Sequence, residues 1–194
     1  MREGWERVFR TLLEVSIPRL DKAGYNWAIM GSLALRIQGV RVEPRDIDIV
    51  SDSYDALRVF EDELRPHVTI PLAADNCCHV AYFGRASING IDIDLLGMSN
   101  PSPGELCEYR GDQVWQHIRF VDYASFSVPV VPLEVSLPNQ ASMCSSRPAE
   151  KPWSRIEATV ETLLQNGYDE ELLEEALRWG SLSANVECKL RAMM

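Results

Sequence analysis

Two short segments constrain this chain more than anything else in it. Asp46-Ile47-Asp48-Ile49-Val50 and Ile91-Asp92-Ile93-Asp94-Leu95-Leu96 both alternate aspartate with aliphatic residues. A period of two sends successive side chains to opposite faces of a β-strand, so each segment predicts a strand with one apolar and one acidic face. Carboxylates at i and i+2 then stand on the same side with Cα atoms roughly 6.6 Å apart. The flanking aliphatic residues would anchor them in the core, which holds a catalytic or binding constellation rigid. If the two strands are neighbours, four aspartates crowd together. They repel unless a cation neutralises them, and an oxygen-only donor set suits Mg2+ or Mn2+.

The rest of the chain predicts a mixture of helices and strands. Trp5, Val8, Phe9, Leu12 and Leu13 share a helical face within Trp5–Leu20, a helix that Pro18 is expected to bend or shorten. Tyr25–Met30 reads as a strand ending at Gly31-Ser32, followed by a short helix from Leu33 to Gln38. Ser53 is placed to cap a helix carrying Leu57, Phe60 and Leu64, ended by Pro66. His79–Phe83 and Ile91–Leu96 read as a hairpin across Ser87-Ile88-Asn89-Gly90. Gly104–Phe126 gives a mixed signal, and Ser127–Val135 is an apolar run broken by Pro129 and Pro132.

Residues 137–152 are rich in Ser, Pro and Ala and read as a loop or linker. They would divide a domain over 1–136 from a helical segment over 153–194. Within that segment Ser154-x-x-Glu157 forms a capping-box pattern, Asp169 is a further cap, and Val186, Leu190 and Met193 mark a last helix.

Charge narrows the function. With 19 basic and 29 acidic residues the chain carries a formal charge of −10, which opposes binding to nucleic acid or an anionic membrane. No apolar run is long enough to span a bilayer. The five cysteines are odd in number, form no C-x-x-C pair and follow no apolar leader, so they read as reduced thiols in the cytoplasm. His67, His79 and His117 are scattered. P-loop, dinucleotide-binding, zincin, EF-hand and nucleophile-elbow patterns are all absent.

Gly31-Ser32, then Asp46-Ile47-Asp48-Ile49, then Ile93-Asp94-Leu95 resemble the signature of the DNA polymerase β-like nucleotidyltransferases, over roughly residues 25–97. The small stand-alone prokaryotic members are most similar: lincosamide and aminoglycoside nucleotidyltransferases and minimal nucleotidyltransferase antitoxins. The resemblance implies an α+β fold, a mixed twisted sheet backed by helices with a short C-terminal helical segment. It also implies transfer of a nucleoside monophosphate from a triphosphate, with ATP the expected donor, onto a hydroxyl of a small molecule or protein.

On the same resemblance Asp46, Asp48 and Asp94 are the catalytic metal ligands, with Asp92 as the rival for the third position. Gly31, Ser32 and Arg45 hold the donor, and Arg41 is a further candidate for its phosphates. Glu134 stands where some antibiotic-modifying relatives carry a general base. Related small members often have a lysine after the third carboxylate, whereas no lysine occurs here between Leu95 and Lys151; Arg147 or Lys151 would have to substitute. The alternative is a non-catalytic binding module of the same fold, such as an antitoxin or regulatory partner, and the macromolecular partners to be expected are a protein or a second copy of the chain.

Overall fold

The computed structural model describes residues 4–75, 80–98, 114–146, 152–179 and 182–194. Helix α1 spans Gly4–Ala23, and strand β1 (Ala28–Met30) runs directly into helix α2 (Gly31–Ile37). Strand β2 (Asp46–Ser51) is followed by helix α3 (Tyr54–Glu63), whose cap Ser53 accepts a hydrogen bond from the Ala56 amide. Three strands come next: β3 (Val68–Ala74), β4 (Tyr82–Ile88) and β5 (Ile91–Gly97). Strands β6 (Arg119–Tyr123) and β7 (Phe126–Val130) form a second hairpin. Helices α4 (Leu133–Ser146), α5 (Ser154–Asn166), α6 (Glu170–Trp179) and α7 (Ala184–Arg191) complete the described chain.

The strands make one mixed sheet in the order β3-β4-β5-β2-β1-β7-β6. Pairs β2–β5 and β1–β7 are parallel and the others antiparallel. This is the expected α+β architecture. The alternation in β2 and β5 does what the sequence predicts. Ile47, Ile49, Ile93 and Leu95 point into the core under α1 and α3, with Phe9, Leu13, Leu57 and Phe60 packed against the same face. Each such side chain contributes roughly 1.5–3 kcal/mol on burial. On the opposite face Ala28, Met30, Val50 and Val131 pack with Leu172 and Ala176 of α6, and the aspartates lie beyond them. A third cluster joins Leu35 and Val40 to α4, α5, α6 and α7 through Leu137, Ile156, Leu173 and Leu190.

Several expectations are corrected. Pro18 does not shorten helix α1, which continues through it; the proline is exposed, so the carbonyl it leaves without an intrahelical donor can face water. The loop expected over 137–152 is helical as far as Ser146, with Pro138 inside α4. This helix is buried on nearly all sides between Leu35, α5, α6 and the sheet, so it lacks the one-sided apolar stripe that identifies a surface helix. Strand β3, an edge strand, was not anticipated. Pro129 stays within β7, and the apolar run beginning there becomes helical at Leu133 rather than remaining extended. Helix α5 is capped from Trp153 without a side-chain bond, so Ser154-x-x-Glu157 is not a capping box, whereas Asp169 does cap α6 by accepting from the Leu172 amide at 3.0 Å. His79, Cys77, Cys78, Cys107, Arg147 and Lys151 lie outside the described residues.

Candidate active site

The parallel pairing of β2 with β5 sets Asp46 beside Asp92 and Asp48 beside Asp94. All four alternate with core residues, so all four stand on one face. Strand spacing makes them the corners of a rectangle roughly 4.8 Å by 6.6 Å. Each is partly exposed.

On the other side of β2, strand β1 pairs Met30 with Asp48, which delivers the start of α2 to the same row. Gly31 turns the chain from strand to helix at φ +66°, in the left-handed region that favours glycine. A Cβ there would stand 1.9 Å from Asp48 Oδ2, so the backbone approaches the carboxylate more closely than any side chain would permit. Ser32 is buried and its hydroxyl donates to Asp46 Oδ1 at 2.9 Å. That bond orients Asp46. Arg45 immediately precedes β2 and is exposed, as is Arg41.

Sequence reasoning missed Arg85. It lies on β4 directly opposite Asp94, and its guanidinium grips the carboxylate with both arms: Nε to Oδ1 at 2.6 Å and Nη2 to Oδ2 at 2.8 Å. The guanidinium carbon also sits 5.5 Å from the centre of the Phe83 ring, two residues away on the same face. Hydrogen bonding to Asp94 raises the arginine pKa above its ordinary value. Burial opposes the shift, and the charges of Asp94, Asp92 and Asp46 reinforce it. Arg85 is thus held by Asp94 and lies in the field of Asp92 and Asp46 as well.

The donor set fits a hard divalent ion in kind and in register: carboxylates only, in paired rows, on strands anchored by fully buried aliphatic residues. As they stand, however, no three His, Cys, Asp or Glu side chains among the described residues converge to hold an ion. Both oxygens of Asp94 are engaged by Arg85.

Glu134, on α4, is fully buried. Its Oε1 accepts from Arg119 Nη2 at 2.9 Å and from the Asp169 amide at 3.1 Å, tying β6 to the start of α6, while Oε2 has no hydrogen-bond partner. A carboxylate with no exposed surface cannot meet an acceptor in this arrangement. A cavity of about 450 Å3 lined by Tyr25, Trp27, Trp115, Phe120 and Phe126 lies at the other end of β1, away from Gly31 and the aspartates. Among the described residues no helix is long and apolar enough to cross a membrane.

No family model matches the sequence, and no curated protein matches it. Solved structures do. A Thermotoga maritima protein assigned to the nucleotidyltransferases, TM1012, is 25% identical, covering 84% of this chain and 93% of that one with a TM-score of 0.60. The antibiotic-resistance factor ANT(2'')-Ia is 15% identical in its solution structure, over 94% of this chain and 93% of that chain, with a TM-score of 0.58. Its crystal structure with adenylyl-2''-tobramycin is 13% identical over 94% and 96% of the two chains, again with a TM-score of 0.58. The neighbours cover most of this chain, and what they have in common with it is architecture more than sequence. The chain has the fold of the nucleotidyltransferases, which are its structural neighbours.

Proposed function

We propose that this chain transfers a nucleoside monophosphate from a nucleoside triphosphate, with ATP the expected donor, to a hydroxyl of a small molecule or protein in the cytoplasm, releasing pyrophosphate. The observation that carries this reading is the registered pair of aspartate strands with Gly31-Ser32 folded against them. Asp46, Asp48 and Asp94 would hold Mg2+ or Mn2+, and Asp92 remains the rival for the third position. A bound ion would lower the pKa of the acceptor hydroxyl and steady charge on the phosphates.

The protein's own groups supply orientation. The Ser32 hydroxyl fixes Asp46, and the absent side chain of Gly31 makes room for the Asp48 carboxylate beside the start of α2, where backbone amides would meet phosphate oxygens. Arg45, exposed at the entrance to β2, is placed to meet phosphate oxygens that overhang the site. The acidic surface is consistent with a small-molecule or protein acceptor in preference to nucleic acid.

The test is thermal melting of wild type and D46A/D48A with each of the four common ribonucleoside triphosphates, with and without Mg2+ or Mn2+. It is paired with label transfer from the α-labelled donor that binds. A metal-dependent stabilisation by one triphosphate, absent from the variant, is expected. One observation favours a second reading, a non-catalytic module that binds a protein partner or a second copy: Arg85 already occupies Asp94. Partner binding that survives D46A/D48A, with no label transfer to a broad acceptor panel, would establish that reading instead.

A further inference from the structure

We propose that Arg85 is a resident cation of the metal-free site, that a divalent ion binds Asp94 only by displacing its guanidinium, and that this exchange sets the site's metal affinity. The inference rests on reading Asp46, Asp48 and Asp94 as metal ligands.

Geometry carries it. A carboxylate bound through both oxygens to a guanidinium fork has one lone pair of each oxygen engaged, on the edge from which a cation would be held by both oxygens at once, and keeps only the outer lone pairs for a second cation. A divalent ion drawn to Asp94 would also meet a fixed positive charge across the same two oxygens. Guanidinium and metal therefore compete for one ligand. The pairing is built in by register, because β4 holds Arg85 directly across from Asp94 and the β5 rows hold Asp92 one step away. The guanidinium also has somewhere to go. The Arg85 side chain is 37% exposed against 14% for Asp94, and it already lies near the Phe83 ring, on which it can rest once released.

The competition has a size. If the pair is closed about nine-tenths of the time, only the open tenth binds metal and the apparent Kd is about tenfold weaker than the intrinsic one. Arginine is suited to the role because a lysine is a point charge without the planar fork and would release the carboxylate more readily.

The experiment measures binding of Mn2+ alone, from the electron paramagnetic resonance of the free ion, on the full chain without nucleotide. It compares wild type, Arg85→Gln and Arg85→Lys. Arg85→Gln should bind about tenfold more tightly than wild type, with Arg85→Lys between them. The gain should persist at about 1 M KCl, where screening falls to about 3 Å and a general charge effect disappears. In wild type, the 15N-detected Arg85 Nε–H resonance, assigned by its loss in Arg85→Lys, should move on saturation with Mg2+.

An unchanged affinity in Arg85→Gln, a difference that vanishes in high salt, or a resonance unmoved by saturating Mg2+ would each overturn the proposal. Mn2+ uptake with Arg85 still seated on Asp94 sinks the displacement alone and leaves the metal-site reading intact. No uptake by wild type or either variant at millimolar Mn2+ removes both.

Discussion

Replacing Gly31 with alanine tests the way the start of α2 meets the aspartates. Two costs are separable. The backbone at φ +66° charges an L-residue roughly 1–2 kcal/mol whatever surrounds it. For a chain of this size each kcal/mol lowers Tm by roughly 2–4 °C, so the variant should melt about 2–8 °C below wild type. The second cost is steric. The new Cβ would lie 1.9 Å from Asp48 Oδ2 and 3.0 Å from its Cγ, but only 3.5 Å from its Cβ, which is ordinary contact. The overlap is thus with the movable end of the side chain, and the carboxylate can turn aside to relieve it. A displaced Asp48 should instead appear as a lost response to ligand.

Calorimetric melting of wild type, Gly31→Ala, Asp48→Ala and the double variant, each with and without ATP and Mg2+, separates the two. The drop in Tm should be about the same in both backgrounds, and Gly31→Ala should lose the metal-dependent stabilisation by ATP. A Gly31→Ala protein that melts with wild type and keeps the ATP shift would refute both parts. A drop that disappears in the Asp48→Ala background would refute the backbone argument specifically.

Three further outcomes are expected. Arg119→Leu strands the fully buried Glu134 carboxylate with only the Asp169 amide, and urea denaturation should show a loss of about 3 kcal/mol, the low end of the range for a broken buried pair because Arg119 is half-exposed; a loss below about 1 kcal/mol would mean that Glu134 does not depend on Arg119. Asp92→Asn removes one of four like charges and should raise the metal-free stability by a few tenths to about 1 kcal/mol; if it also abolishes the metal-dependent shift while Asp94→Asn does not, Asp92 is the third ligand. Burial raises the Tyr123 pKa above its ordinary value of 10.0, the nearby charges of Glu6 and Arg10 acting in opposite directions. A raised folded-state pKa means stability that is complete below the unfolded value and is lost as pH climbs past it. Wild type should therefore lose more stability between pH 8 and pH 11 than Tyr123→Phe, and equal losses would remove Tyr123 from the account.

Much of the site could be read from sequence because its pieces are local. An alternating aspartate strand declares its own faces, and Ser53 and Asp169 act as caps over three residues. Arg85 was equally accessible in principle. Asn89 and Gly90 both adopt positive φ, the signature of a two-residue hairpin turn, and counting outward from them pairs Ile88 with Ile91 and, three steps on, Arg85 with Asp94. Reading the turn as four residues, from Ser87, concealed that register. The parallel pairing of β2 with β5 is different in kind, since nothing within either segment states which strand will lie beside it. Helix α4 was hidden for another reason. Buried on nearly every side, it carries Ser136, Asn139 and Gln140 at buried positions where a surface helix would show an apolar stripe, and its composition imitates a loop.

The β2–β5 pairing also has a kinetic consequence. Asp46 and Asp92 are separated along the chain by α3 and by strands β3 and β4, so their repulsion is not felt until that long loop has closed. The β4–β5 hairpin, with Arg85 already facing Asp94, is by contrast a local structure that can form early and bring its own neutralising charge to the assembly. A chain organised in this way meets its electrostatic penalty only when the β2–β5 pair closes, and where that step follows the folding barrier the carboxylates shorten the lifetime of the native state more than they slow its formation.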